Sequence, residues 1–210
     1  MSDLLPLFPL PSVVLFPGVF LPLHIFEPRY RAMVADALAT DRLIGMTLLR
    51  DGWEDDYEGR PPVFEVGCTG LITHCEKLPD GRYNLILRGM DRFRILGEDH
   101  SRSYRRAVTE ALREPDLTRE DRARLKQQRT RIESLISPSE QGDGIDPRAA
   151  SALSDDDLIN ALAQYLELEP IERQALLEQP AVTRRADALI ELLEMKSLLA
   201  RHPSSSPHAH

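Results

Sequence analysis

Cys68, His74 and Cys75 place two thiols and an imidazole in one short stretch, the set from which a nucleophile–base pair or a metal cluster is built. The spacing argues against both. The chain has no C-x-x-C pair and no matching histidine pair, and the adjacent His74 and Cys75 point to opposite faces of a strand. Cys68 and Cys75, seven positions apart, also diverge on a regular strand, so no structural disulfide is expected and a cytoplasmic setting fits better. Asp155, Asp156 and Asp157 could suggest a cation site. Consecutive helical positions fan out around the axis, however, and the spacing is not that of an EF-hand. Ser154 before them reads as a helix cap, with three carboxylates where the helix dipole favours negative charge.

Motifs for phosphate and acyl transfer are missing from these 210 residues. There is no G-x-x-x-x-G-K-[ST] loop, no glycine is followed by lysine, and no G-x-S-x-G elbow presents a serine. Lys77, Lys126 and Lys196 are the only lysines, which leaves little room for a Ser-Lys dyad. No catalytic residue, cofactor or metal is therefore expected. With 42% hydrophobic and 29% charged residues, the chain has the composition of an ordinary globular protein, one large domain or two small ones. Its formal charge of −8 repels phosphate and anionic lipid, so neither nucleic acid nor a membrane surface is an expected partner. Residues 4–26 carry no formal charge apart from His24, yet their prolines, with no basic flank and no small-residue cleavage site, exclude a signal peptide or a membrane span.

The elements that must position any site follow from the same pattern. Prolines at 6, 9, 11, 17 and 22 forbid a helix, so the opening is short strands and turns, with Phe16-Pro17-Gly18-Val19 suited to a type II turn. His24 lies in an apolar strand and reads as a satisfied core or edge histidine. Glu27 and Pro28 start a helix whose Tyr30, Met33, Val34, Ala37 and Leu38 share one face. Arg29 and Arg31 beside Glu27 read as ion pairs holding that helix, with ligand contact as the alternative. Strands are expected at 43–49, 63–75, 83–88, 92–96 and 104–112, with turns at Pro79-Asp80-Gly81 and Gly89-Met90-Asp91. The acidic loop 50–62 carries Trp53 and Tyr57, which either fold back onto the strands or contact an incoming polypeptide; they are the two candidate polypeptide-binding residues. Beyond Pro115 the period is helical: a helix capped by Thr118 with an arginine-rich polar face, a linker at 137–153, a helix after Ser154, a short one from Pro170 to Pro180, and one over 182–199. The arginines read as a solvated face, with an anion site as the alternative.

Two blocks carry a family resemblance. LPLFPLPSVVLFPG followed by LPLHIFEPRYRAMV, and VGCTGLITHCEKLPDGRYNLILRGMDRFRIL with its glycine-marked strand, DGRY hairpin and G-x-x-R-F turn, closely resemble the LON domain. This is the N-terminal substrate-binding domain of Lon-type ATP-dependent proteases. The resemblance implies an α+β fold: a PUA-like twisted, partly closed β-barrel with one early helix over 1–115, a helical bundle subdomain over 116–200, and a disordered tail at 201–210. It also implies a stand-alone, non-catalytic module that binds polypeptide segments or a partner protein in protein quality control. Strand edges and the gap between barrel and helices would supply the surface. Two alternatives are RNA binding, which PUA-like barrels also support but which the charge opposes, and an ATP-independent peptidase, which rests on the family name. Oligomeric state is left open.

Overall fold

The proline-rich opening is extended, as proline chemistry requires. The computed structural model describes residues 4–57, 59–136 and 152–201; most of the expected linker (137–151) and of the expected tail (202–210) lies outside them. Strands β1 (Leu5–Leu10) and β2 (Phe20–Ile25) flank the type II turn, where Gly18 takes φ 77° and Val19 N donates to Phe16 O at 3.3 Å. Helix α1 (Pro28–Leu38) has proline in its first turn and buries Tyr30, Met33, Val34 and Ala37. Strands β3 (Leu43–Leu48), β4 (Val66–Lys77), β5 (Tyr83–Asp99) and β6 (Arg105–Leu112) follow.

The six strands run in the order β2-β5-β4-β3-β1-β6. At 17 residues, β5 is long enough to pair with β2 through Tyr83–Arg88, with β4 through Tyr83–Arg94 and with β6 through Arg92–Asp99. The sheet thus curls back on itself without becoming a complete barrel. Strand β2 stays outside the curl and, among the described residues, pairs on one side only. The expected turn at Gly89-Met90-Asp91 is instead the middle of β5. Its glycine serves a close approach: Gly18 N donates to Gly89 O at 2.9 Å, Gly89 N donates to Val19 O at 2.8 Å, and a Cβ at 89 would strike the Phe16 carbonyl.

Five α-helices are found among the described residues. Helix α2 (Arg119–Leu135) carries the Thr118–Asp121 capping box, α3 (Asp155–Tyr165) is capped by Ser154, α4 (Pro170–Leu177) opens on proline, and α5 (Val182–Arg201) ends the described chain. Arginines on the polar face of α2 hold other helices: Arg124 pairs with Asp187 and Arg131 with Glu194 on α5, and Arg129 reaches Asp155 at the head of α3. One hydrophobic cluster contains Ile25, Met33 and Leu87 from the strands and α1 together with Leu125, Ile159 and Leu189 from the later helices. Strands and helices therefore share a core.

Among the acids that this fold holds protonated, three are shifted furthest. Burial pushes the Cys68 thiol up to about 12 and the Tyr30 phenol up to about 12. Burial first, then its hydrogen bond to Asp36, pushes Tyr104 up to about 12. A group with a raised folded pKa contributes stability that is complete below its unfolded pKa, 9.0 for cysteine and 10.0 for tyrosine, and is lost as pH rises towards the folded value. Urea midpoints should hold steady from neutral pH to about 9 and then fall continuously to about 12, a slope that equilibrium unfolding at stepped pH measures directly.

Candidate functional site

The free edge of β2 is built by its own alternation. Phe20, Pro22 and His24 are exposed, Leu21 and Leu23 half-buried, and Ile25 buried. Proline has no N–H for a ladder, so it fits only at a position whose backbone turns away from the neighbouring strand. Tyr165, the last residue of α3, fits the same register by donating its hydroxyl to Phe20 O at 2.8 Å. Phe20 is 51% exposed and Phe26, just past the strand, 60%. Between them His24 stacks on Phe26 with ring centroids 6.3 Å apart. Arg82 can only donate to His24 Nε2, at 3.3 Å, which puts the ring proton on Nδ1, where it is donated to Asn84 Oδ1 at 2.7 Å. His24 is thus an edge histidine with both nitrogens satisfied.

Upstream of Phe20 the edge runs into a groove of about 360 Å³ between strands and helices, lined by Gly18, Met90, Asp91, Arg92, Asp157 and Asn160 among others. Met90 is 40% exposed there. The groove is floored by a buried charge cluster. Arg92 donates to the last carbonyls of α4 and the turn after it: Leu177 O at 2.9 Å, Gln179 O at 2.6 Å and Pro180 O at 3.0 Å. Arg185 donates to Leu176 O at 3.1 Å and Asn160 Oδ1 at 2.7 Å. One carboxylate serves both: Glu114 Oε1 lies 2.5 Å from Arg185 Nη2 and 3.2 Å from Arg92 Nε. Burial, and then the charge of Arg185, lowers the Arg92 pKa.

Trp53 and Tyr57 meet edge to face with centroids 5.4 Å apart, both half-buried. Tyr57 donates its hydroxyl to Glu27 at 2.7 Å and its carbonyl accepts from Arg29 at 3.1 Å, which fastens this loop to the head of α1. Arg29 also pairs with Glu27 at 3.0 Å, whereas Arg31 does not share in that network. Cys68 and Cys75 are both free, and Cys68, a thiol up to about 12, is no nucleophile near neutral pH. Among the described residues no group of three His, Cys, Asp or Glu is placed to hold a metal, and no helix is long and apolar enough to cross a membrane.

Phe20, Phe26 and the Arg92–Glu114–Arg185 cluster were not singled out by residue type. The period of two through Pro22 was the available signal for the exposed face, and the arginine of the G-x-x-R-F motif was the signal for the clamp.

This geometry has relatives. The family model for the ATP-dependent protease La (LON) substrate-binding domain matches residues 4–195. A Lon protease of Trichlorobacter lovleyi is 30% identical over 208 residues, covering 95% of this chain and 25% of that protein. Lon protease 2 of Myxococcus xanthus is 26% identical over 199 residues, covering 92% of this chain and 24% of its own length. The chain thus spans about a quarter of the length of the curated relatives it matches. Among solved structures, the N-terminal domain of a Mycobacterium avium complex Lon protease superimposes with a TM-score of 0.69 at 18% identity, covering 91% of this chain and 98% of that one. A Lon N-terminal domain protein from Xanthomonas campestris gives 0.61 at 26% identity, covering 94% and 98%. A curled sheet with a helix at its shoulder and a helical bundle sharing its core, matched from residue 4 to residue 195, makes this chain a member of the LON substrate-binding domain family.

Proposed function

We propose that the chain is a non-catalytic recognition module that binds extended segments of other polypeptides along the free edge of β2, in the service of protein quality control. The observation that carries this reading is the one-sided pairing of β2 together with the exposed Phe20 on that strand and Phe26 just past it. A strand added to such an edge gains main-chain hydrogen bonds, while its alternate side chains meet the aromatic rings. Pro22 interrupts the row of donors, so side-chain contacts carry much of the affinity and long sheet-like addition is disfavoured. Met90 in the adjoining groove extends the apolar surface. Trp53 and Tyr57 are a second contact in this reading, and the single tryptophan is its optical reporter. The family supports substrate recognition, and the net charge of −8 favours a polypeptide over a nucleic acid.

Fluorescence polarisation with labelled, unfolded casein tests the proposal. Joint substitution Phe20→Asp and Phe26→Asp should weaken binding about tenfold, from the loss of about 1–2 kcal/mol of apolar contact, without cleavage of the casein by either protein. Unchanged binding in the double variant, salt-sensitive retention of RNA in place of casein, or casein cleavage would each refute it.

A further inference from the structure

A second hollow, about 330 Å³, opens beyond the other end of β2. Its walls are Pro28, Arg31 and Ala32 of α1, Lys77 at the end of β4, Gly81 in the following turn and Tyr83 at the start of β5. Neither cation has an ion pair among the described residues, and the contacts that place them are of other kinds. The Arg31 guanidinium lies against Gly81, whose φ of 83° suits glycine and whose missing Cβ leaves the guanidinium its room. Lys77 Nζ stands 5.8 Å from the centroid of the Tyr83 ring.

Among the described residues, neither side chain makes an ion pair or a hydrogen bond, and no wall of the hollow is acidic. Carboxylates on the neighbouring segments have hydrogen-bond partners of their own, although, after the hydrogen bond from Arg82 N, the charge of Arg31 does reach Asp80 and helps to hold its pKa down. Asp80 accepts from Arg82 N at 3.0 Å and Nε at 2.6 Å, Glu27 holds Arg29 at 3.0 Å and Tyr57 at 2.7 Å, and Glu76 accepts from Asn84 at 3.5 Å. Two positive charges therefore converge on one concave surface of a protein with net charge −8. Like charges facing a shared hollow repel, and an anion between them relieves that repulsion.

The geometry points to a carboxylate pocket formed by Arg31 and Lys77, which receives an acidic side chain or the terminal carboxylate of a polypeptide laid along β2; the polypeptide part rests on the edge-strand reading above. Tyr83 is the register partner of Ile25, and Pro28 follows three residues later, so the pocket lies where β2 ends. Six strand residues at about 3.3 Å each span about 20 Å, which sets the carboxylate about five to seven residues from the side chain that meets Phe20.

Two measurements on the full chain separate the claims. In the first, amide NMR shifts are followed during titration with acetate and with N-acetylglutamate. Gly81 and Ala32 should move, and Arg31→Gln with Lys77→Gln should abolish the response while the rest of the spectrum stays folded. No movement in the unsubstituted protein overturns the pocket. In the second, three peptides share one apolar end and carry at the other a glutamate with an amidated terminus, a glutamine with an amidated terminus, or a glutamine with a free terminus. A peptide with a carboxylate should bind about fivefold tighter than the carboxylate-free one, a gap that the double variant erases and salt narrows. A gap confined to the glutamate peptide identifies a side chain as the ligand, and one confined to the free terminus identifies a chain end. Equal binding of all three peptides overturns the polypeptide link. If all three fail to bind while acetate still moves Gly81, the edge-strand reading falls and the pocket stands.

Discussion

Replacing Glu114 with glutamine should destabilise the fold by about 3 kcal/mol. The carboxylate is the shared counter-charge of Arg92 and Arg185, which are 3% and 0% exposed, and without it two guanidiniums face each other in the interior. Removing one partner of a buried ion pair costs about 3–5 kcal/mol, and the low end applies because Glu114 is 25% exposed and partly solvated. Glutamine keeps the shape and a hydrogen-bond acceptor, so the loss isolates charge from packing. A urea titration reads it as a lower midpoint at an unchanged slope. Adding Arg185→Met should recover part of the loss, since one cation fewer then needs a partner. A midpoint that does not move with Glu114→Gln would mean that the cluster is more hydrated than its burial indicates.

Phe16→Ala should cost about 4 kcal/mol, about a quarter or more of the stability of a typical domain. The ring is fully buried, lies 5.9 Å from the Arg185 guanidinium, and sits where strands and helices share their core. Its backbone is fixed as well: Phe16 N donates to Gln164 Oε1 at 3.2 Å, and its carbonyl packs against Gly89. With both sides pinned, the surroundings cannot collapse into the space left by the ring, which places the cost above the transfer term alone. Phe16→Leu, which retains most of the volume, should cost about 1–1.5 kcal/mol. Thermal and urea unfolding of the two variants, compared side by side, give the contrast; equal losses would refute the cavity argument.

What could be read from the residues was local. The Phe16-Pro17-Gly18-Val19 turn, the start of α1 at Pro28, the Thr118–Asp121 box and the cap at Ser154 each depend on a few neighbouring side chains, and each is where its chemistry puts it. Gly89 was misjudged for the converse reason. A glycine between two apolar runs looks like a turn, whereas its function is to admit a backbone 73 positions earlier in the chain, that of Phe16. Arg185 and Glu114, 71 positions apart, carry no local mark of their pairing. The exposure of Phe20 and Phe26 was hidden likewise, because an apolar run does not announce which of its faces the fold leaves uncovered. Recognition of the two motif blocks supplied the overall architecture that periodicity could not.

The place of β1 has a consequence for how the protein is made. Its six residues are synthesised before every other strand of the sheet, yet they sit between β3 and β6, and the second of those partners ends at Leu112. At about 5–20 residues per second, the nascent chain holds this greasy segment without its second partner for several seconds. Such a long wait, set by contacts between distant parts of the chain, also slows refolding from denaturant. Strand β1 is structural interior, so a substitution that weakens its hold on β3 would loosen β6 on its other side as well.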